Sequence, residues 1–501
     1  MKPSLPSDNK PLSPDTRSTQ SPGNVSLSSN PESETISRRR FLGLMGAAGV
    51  AASGLSWLSS CGSKTPSAGE EDEVYDLDAP IPTDRMTMRT NPRQGDRVSL
   101  LGYGCMRWPM KTVTNDDGEK EEVLDQETIN ELVDFALEHG VNYFDTSPAY
   151  CRGLSEKVTG IALARHPRKS YYIATKLSNF APASRTREAS IEMYRHSLSE
   201  LQTDYIDYML LHSVGGGGDN WMQEFNSRYI DNGILDFLLE ERRAGRIRNL
   251  GFSYHGNIEM YDYLLSRHEE IHWDFVQIQM NYMDWYHAKN PRNNASYLFA
   301  ELKKRGIPVV IMEPLLGGRL AKVPDSIVAR LKQREPERSV ASWAFRFVGS
   351  FPEVLCVLSG MTYMDHLKDN LRSFCPLKPL TEEENEFLFA TADLMNEYPT
   401  IPCNDCKYCM PCPYGIDIPA ILLHYNRCVN EGHVPSDSQD PHYRRMRRAF
   451  LVGYDRAVDY ERQASHCIGC NQCVPHCPQN IRIPQELHRI DGIIEQLKRT
   501  E

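Results

Sequence analysis

Asp145 and Tyr150, a carboxylate and a phenol five residues apart, sit where an apolar run, Val141 to Phe144, meets a helical pattern opened by Leu154-Ser155-Glu156-Lys157. Two further ionisable residues end strand-like runs downstream: Lys176 in Ala174-Thr175-Lys176-Leu177, and His212 in Met209-Leu210-Leu211-His212-Ser213. Singly, each has a structural reading, as a turn cap, a rim aromatic, an ion-pair partner or a wall residue. Together they form a set suited to proton chemistry. A phenol titrates near ~10 in water, too high to give up its proton efficiently at neutral pH. A neighbouring ammonium would stabilise the phenolate and lower that pKa. Asp145 would hold Lys176 in place, and His212 would orient a carbonyl oxygen or share the proton. The implied step is protonation of an oxygen as hydride reaches its carbon, or the reverse.

The cysteines point to a second chemistry. Of fourteen, eight lie in two tight runs: Cys403, Cys406, Cys409 and Cys412, then Cys467, Cys470, Cys473 and Cys477. The second run, C-x2-C-x2-C-x3-C followed by Pro478, is the bacterial ferredoxin spacing for 4Fe–4S clusters. An internal repeat relates the two, since Cys412-Pro-Tyr-Gly-Ile-Asp-Ile-Pro419 parallels Cys477-Pro-Gln-Asn-Ile-Arg-Ile-Pro484. In two-cluster ferredoxins the fourth cysteine of each run serves the other cluster. Two clusters are therefore expected, one on Cys403, Cys406, Cys409 and Cys477, the other on Cys467, Cys470, Cys473 and Cys412. Zinc favours separated C-x2-C knuckles over four cysteines in a row. Disulfides would suit an exported chain, but export of a prefolded chain leaves room for a cluster.

These residues need elements to hold them. Strand-like runs at Val98–Gly102, Val141–Thr146, Tyr171–Leu177, Tyr205–His212, Ile247–Ser253, Phe275–Met280, Val309–Pro314 and Val354–Ser359 alternate with helical patterns. In 127–138, Ile129, Leu132, Val133 and Leu137 recur at the spacing of one helix face. Eight such units predict an α/β fold, a (β/α)8 TIM barrel over 85–380, whose strand ends would bring the ionisable residues to one mouth. An open doubly wound sheet is the alternative, but no Gly-x-Gly-x-x-Gly follows the first strand. Residues 381–501 are expected to form a small α-helical ferredoxin-type domain.

The run Phe-Asp-Thr-Ser-Pro-Ala-Tyr-Cys-Arg-Gly-Leu-Ser-Glu at 144–156 resembles the signature of the aldo-keto reductase family, with Lys176 and His212 falling where that family completes its catalytic tetrad. The resemblance covers about residues 88–375. It implies a nicotinamide cofactor, NADP or NAD, lying across the barrel mouth, with Tyr150 as general acid or base. It also implies carboxamide contacts at Ser253 and Gln279, a pyrophosphate loop over 314–320 that includes Leu315 and Gly317, and an adenosine end near Gly360 and Asn370. Two departures stand out. Tyr254 occupies a position where many members carry Asn, and Met361-Thr362-Tyr363-Met364-Asp365 lacks the cation that usually grips a 2′-phosphate. Gly215 to Gly218 follows His212 as flexible cover over a substrate or as a plain linker.

The 501 residues, 40% hydrophobic and 25% charged, suffice for two or three domains. A formal charge of −11 argues against nucleic acid as a partner. Ser37-Arg38-Arg39-Arg40-Phe41-Leu42 before an apolar small-residue segment resembles a twin-arginine export signal. Leu58-Ser59-Ser60-Cys61 resembles a lipoprotein box, so membrane contact would come only through a lipid on Cys61. Residues 62–84 read as an acidic linker. The expected chain is thus a periplasmic or otherwise extracytoplasmic oxidoreductase, acting on a small carbonyl or alcohol and served by a redox partner protein, for which the arginines at 444–448 would be a docking patch or simply a solvated helix face. Alternatively it is an electron-transfer subunit whose barrel is a docking scaffold.

Overall fold

A computed structural model describes residues 80–115, 117–215, 220–288, 294–435 and 437–499. The arginine signal, Cys61, most of the acidic linker and Gly216 to Gly218 lie outside the described residues.

Eight parallel strands close into a barrel in chain order: β1 Leu101–Gly104, β2 Tyr143–Asp145, β3 Tyr172–Leu177, β4 Ile206–Val214, β5 Ile247–Tyr254, β6 Phe275–Gln279, β7 Val309–Met312 and β8 Val354–Ser359, with β8 pairing back onto β1. Strands enclosed on both faces read as near-continuous apolar runs, and β4 is buried at every residue but Ser213. Tyr143, Ala174, Tyr208, Leu210, Phe275, Val310, Leu355 and Cys356 fill the interior. The amphipathic helix Gln126–Glu138 buries Ile129, Leu132, Val133 and Ala136 against the outside of the sheet.

The expected first strand, Val98–Gly102, is two strands. Arg97–Ser99 pairs antiparallel with Met88–Thr90 in a hairpin, and the barrel strand begins at Leu101. The Ser99 N–H is claimed by the Asn142 side chain at 2.8 Å, which interrupts the run. Near the hairpin, the Asn91 side chain bonds Tyr208 and Asn249, and Asp96 accepts from both of them.

Helix Glu382–Asn396, expected with the cysteine-rich part, belongs to the barrel. Its Leu388, Phe389 and Ala392 join the barrel's apolar core. A second core starts at Ile401 and is built from helices Ile418–Asn430, Tyr443–Ala457 and Ile483–Arg499. This smaller domain meets the barrel at the C-terminal ends of its strands, where Arg107, Gln279 and Arg319 reach residues of 400–405 and 479.

Candidate active site and cluster-binding module

Strand register brings the four ionisable residues together. Asp145 stands opposite Ala174 and Lys176 opposite Leu210, so the end of β2, the end of β3 and His212 on β4 share one rim. The Lys176 ammonium donates to Asp145 Oδ1 at 2.6 Å and to the Thr146 carbonyl at 2.8 Å, with both side chains buried. Its Nζ lies 4.7 Å from the centroid of the Tyr150 ring. The Tyr150 and His212 rings meet edge to face at 5.8 Å. Tyr150 is held in a tight turn, with its N–H on the Ser147 carbonyl and the next two residues, Cys151 and Arg152, in the left-handed region.

His212 is positioned by its own shell. Arg228 and the Tyr229 hydroxyl donate to its carbonyl, and its Nδ1 pairs with the Ser178 hydroxyl at 2.6 Å. A register slip between Leu211 and Val214 spans the residue, with Ser213 left-handed just after it; such irregularities re-aim side chains next to active sites. Among the described residues its buried Nε2 has no hydrogen-bond partner. Burial, then the charges of Lys176, His255 and Arg228, hold this imidazole well below its ordinary pKa, so it is neutral.

One electrostatic expectation reverses. The Tyr150 phenol is pushed well above its ordinary pKa, by burial first and then by Asp145 and its neighbours. Lys176 does not win because its ammonium is already matched by Asp145 at 2.6 Å. The phenol is therefore protonated at neutral pH. Behind the set, the Glu156 carboxyl accepts from Thr175 and Ser197, yet burial outweighs both bonds and raises its pKa to about 7.

The expected coenzyme contacts have other partners. Gln279 is engaged at both ends: its amide donates to Asp284 at 2.5 Å, and its carbonyl accepts from Gln479 of the smaller domain at 2.9 Å. Gly317 adopts a left-handed conformation (φ +66), and a Cβ there would collide with the carbonyl oxygen of Asn404 and lie 2.6 Å from its Cα. Gly360 lies against Arg107, which itself bonds the Asn404 and Asp405 carbonyls and the Asp405 carboxylate. Ser253 Oγ accepts the Ser213 N–H, Leu315 caps the turn Leu316–Gly318, and Asn370 donates to Ser359. Sequence reasoning missed Arg107, Ser178, His255, Glu313 and Tyr408. Glu313 follows β7 directly, beside Asn404, and burial raises its carboxyl to about 7. Tyr408 comes near enough to Tyr150 and Lys176 for their charges to act on its phenol. Ser178, two residues beyond Lys176, was the one with a usable signal.

The structure brings four of the eight cysteines together around one space. Cys403, Cys406, Cys409 and Cys477 line one small cavity that is partly open to solvent. Cys473 feels Cys470, Cys412 and Cys467. Among the described residues, no three ligating side chains crowd one point as the ligands of a single metal ion would. In a 4Fe–4S cluster each iron takes its own thiolate, so the cysteines surround a cage rather than an ion. Left-handed residues recur in register: Asp405 with Gly469, Lys407 with Asn471, and Gly415 with Asn480. Such turns aim backbone N–H groups into a concavity that suits an anionic group. All thirteen described cysteines are free of disulfides.

A closed barrel with this rim, joined to such a module, is the architecture of a barrel oxidoreductase carrying a ferredoxin-type domain. The chain belongs to the aldo/keto reductase family, whose model matches residues 100–389, and residues 402–481 match a 4Fe–4S dicluster domain. Similar proteins include L-galactose dehydrogenase of Arabidopsis thaliana, 25% identical over 59% of this chain and 90% of that one. Protein tas of Escherichia coli (strain K12) is 25% identical over 62% and 98% respectively. A holo-form aldo-keto reductase from Bacillus halodurans superposes with a TM-score of 0.47 at 24% identity, covering 61% of this chain and 96% of that one.

Proposed function

We propose that the chain interconverts a carbonyl and an alcohol at the barrel mouth, with Tyr150 as the acid that protonates the carbonyl oxygen. The observation carrying this reading is the buried Lys176–Asp145 pair lying under the Tyr150 ring, with His212 against its edge. The phenol holds its proton at neutral pH and gives it up only as negative charge develops on the substrate oxygen. Lys176, fixed by Asp145 and the Thr146 carbonyl, stabilises the phenolate that forms. The Ser178 hydroxyl engages Nδ1 of His212, which leaves Nε2 as the nitrogen to meet the carbonyl oxygen.

Cys403, Cys406, Cys409 and Cys477 would hold one 4Fe–4S cluster, and Cys412, Cys467, Cys470 and Cys473 a second. When bound, such clusters supply single-electron transfer. Export by the twin-arginine route, with a lipid on Cys61, would place the enzyme outside the cytoplasm beside a redox partner protein.

The test is turnover by Tyr150→Phe, using anaerobically purified holoprotein and small aldehydes, ketones and quinones. NADPH and a reduced viologen dye serve in parallel as electron sources. The expected loss is about 10²–10⁴-fold, the usual worth of a positioned general acid. Equal turnover by the variant would make the barrel a scaffold for an electron-transfer subunit.

A further inference from the structure

Of the positions where the family resemblance would lay a dinucleotide along the barrel mouth, Gln279 and Gly317 are met by this chain's own cluster-binding module and Gly360 by the arginine that ties that module down. At Gly317 the backbone of Asn404 is so close that a methyl group could not be inserted. At Gln279 both amide atoms are bonded, one of them to Gln479. At Gly360 the Arg107 side chain lies alongside and ties down Asn404 and Asp405 through three hydrogen bonds. A further bridge, Arg319 to the Thr400 hydroxyl at 2.8 Å, fixes the segment just before Cys403.

Charge runs the same way as shape. A dinucleotide brings a pyrophosphate with two negative charges, and such groups are held by arginine forks and free backbone donors. Here the track carries the carboxyls of Asp284, Glu313 and Asp405, and its two arginines, Arg107 and Arg319, already serve the loop. Residues 361–365 add no cation. Seating the ligand would therefore mean expelling a segment that contains three of the four cysteines around one cavity.

We propose that residues 402–409 with Gln479 permanently replace the nicotinamide dinucleotide in this chain, so that it binds neither NADP nor NAD and takes its electrons from a one-electron carrier protein. This rests on the carbonyl reading of Tyr150. The smaller domain is open on the side of its second cysteine set, where Cys470 is exposed and Ile468 and Tyr460 are 64% and 75% uncovered. Reduction then balances as two single-electron deliveries and two protons: the C=O π bond is lost and the carrier is oxidised twice. Tyr150 supplies the proton on one oxygen and is reprotonated from solvent, which also supplies the second proton, to the other oxygen of a quinone or to carbon in a carbonyl reduced to an alcohol. Because a single electron arrives first, the carbonyl must be conjugated, as in a quinone or a 1,2-dicarbonyl, so that the half-reduced species is stabilised.

The test uses anaerobic full-length holoprotein. Calorimetric titration with NADPH and with NADH should show no saturation, and denaturation should release no nicotinamide; saturable binding or stoichiometric release of either would overturn the proposal. Reduced methyl viologen should be oxidised by 9,10-phenanthrenequinone in the protein's presence, and Tyr150→Phe should slow this on the order of 10²–10⁴-fold. Absence of viologen-driven turnover in the wild type would overturn the one-electron source. A nucleotide that drives Tyr150-dependent turnover would remove the replacement while sparing the acid role. Equal viologen turnover in Tyr150→Phe, with no nucleotide bound, would do the reverse.

Discussion

Lys176 and Asp145 are held as a pair inside the protein, 1% and 4% exposed as side chains, and breaking such a pair strands a charge. Lys176→Met should destabilise by about 3–5 kcal/mol, because Asp145 would be left alone in the interior. The double variant Asp145→Asn/Lys176→Met should regain much of that in chemical denaturation without regaining turnover. Glu156 carries a pH signature. Its folded pKa of about 7 lies above the 4.5 ordinary for a glutamate, so the folded chain binds the extra proton across that interval. Stability contributed by this group therefore falls as pH rises from about 4.5 to about 7, and is level above. Glu156→Gln should flatten that slope and stabilise the protein at pH 8 by roughly 1–3 kcal/mol, read from denaturant midpoints at several pH values. Asp145, Lys176 and His212 were legible because each lies at the end of an apolar run, and Tyr150 because it follows Asp145 by five residues. The direction of the Tyr150 shift was not, since it depends on how deeply the phenol is buried and on how completely Asp145 neutralises Lys176.

At the scale of elements, the alternation of apolar runs and helical faces announced the barrel, and seven of the eight barrel strands lie where their runs are. The exception came from Asn142, whose side chain takes a backbone hydrogen bond across forty-three residues of sequence; no local pattern carries that. The helix Glu382–Asn396 was assigned to the wrong neighbour for a similar reason. Its attachment is Arg346 on Val340–Gly349, a fully buried guanidinium that grips both oxygens of Glu384 at 2.8 Å and Glu335 at 2.7 Å. Glu384 also closes the capping box with Thr381 at the helix start. Arg346→Ala should cost about 3–5 kcal/mol and loosen this helix first, seen as faster amide exchange over 382–396 than over the barrel strands.

On the scale of the whole molecule, sequence placed two modules in series, whereas the structure lays one across the mouth of the other. Nothing in the cysteine spacing tells which surface the module covers. The hint lay in Gly317, read as room for a phosphate and used as room for Asn404. Gly317→Ala puts a methyl group into that contact at a left-handed position, and should push the loop off its seat. The expected readout is an iron and sulfide content reduced by roughly half, since one of two cluster sites is disturbed, with the barrel's circular dichroism retained.

The segment that closes the mouth is also the segment that carries Cys403, Cys406 and Cys409. Under the proposed function, maturation and active-site assembly become one event. A chain that has not received its iron should then lack a fixed lid, and is expected to be inert rather than half-active. Limited proteolysis should report this directly, with cleavage between residues 400 and 410 in the iron-free protein and protection there once the metal is loaded.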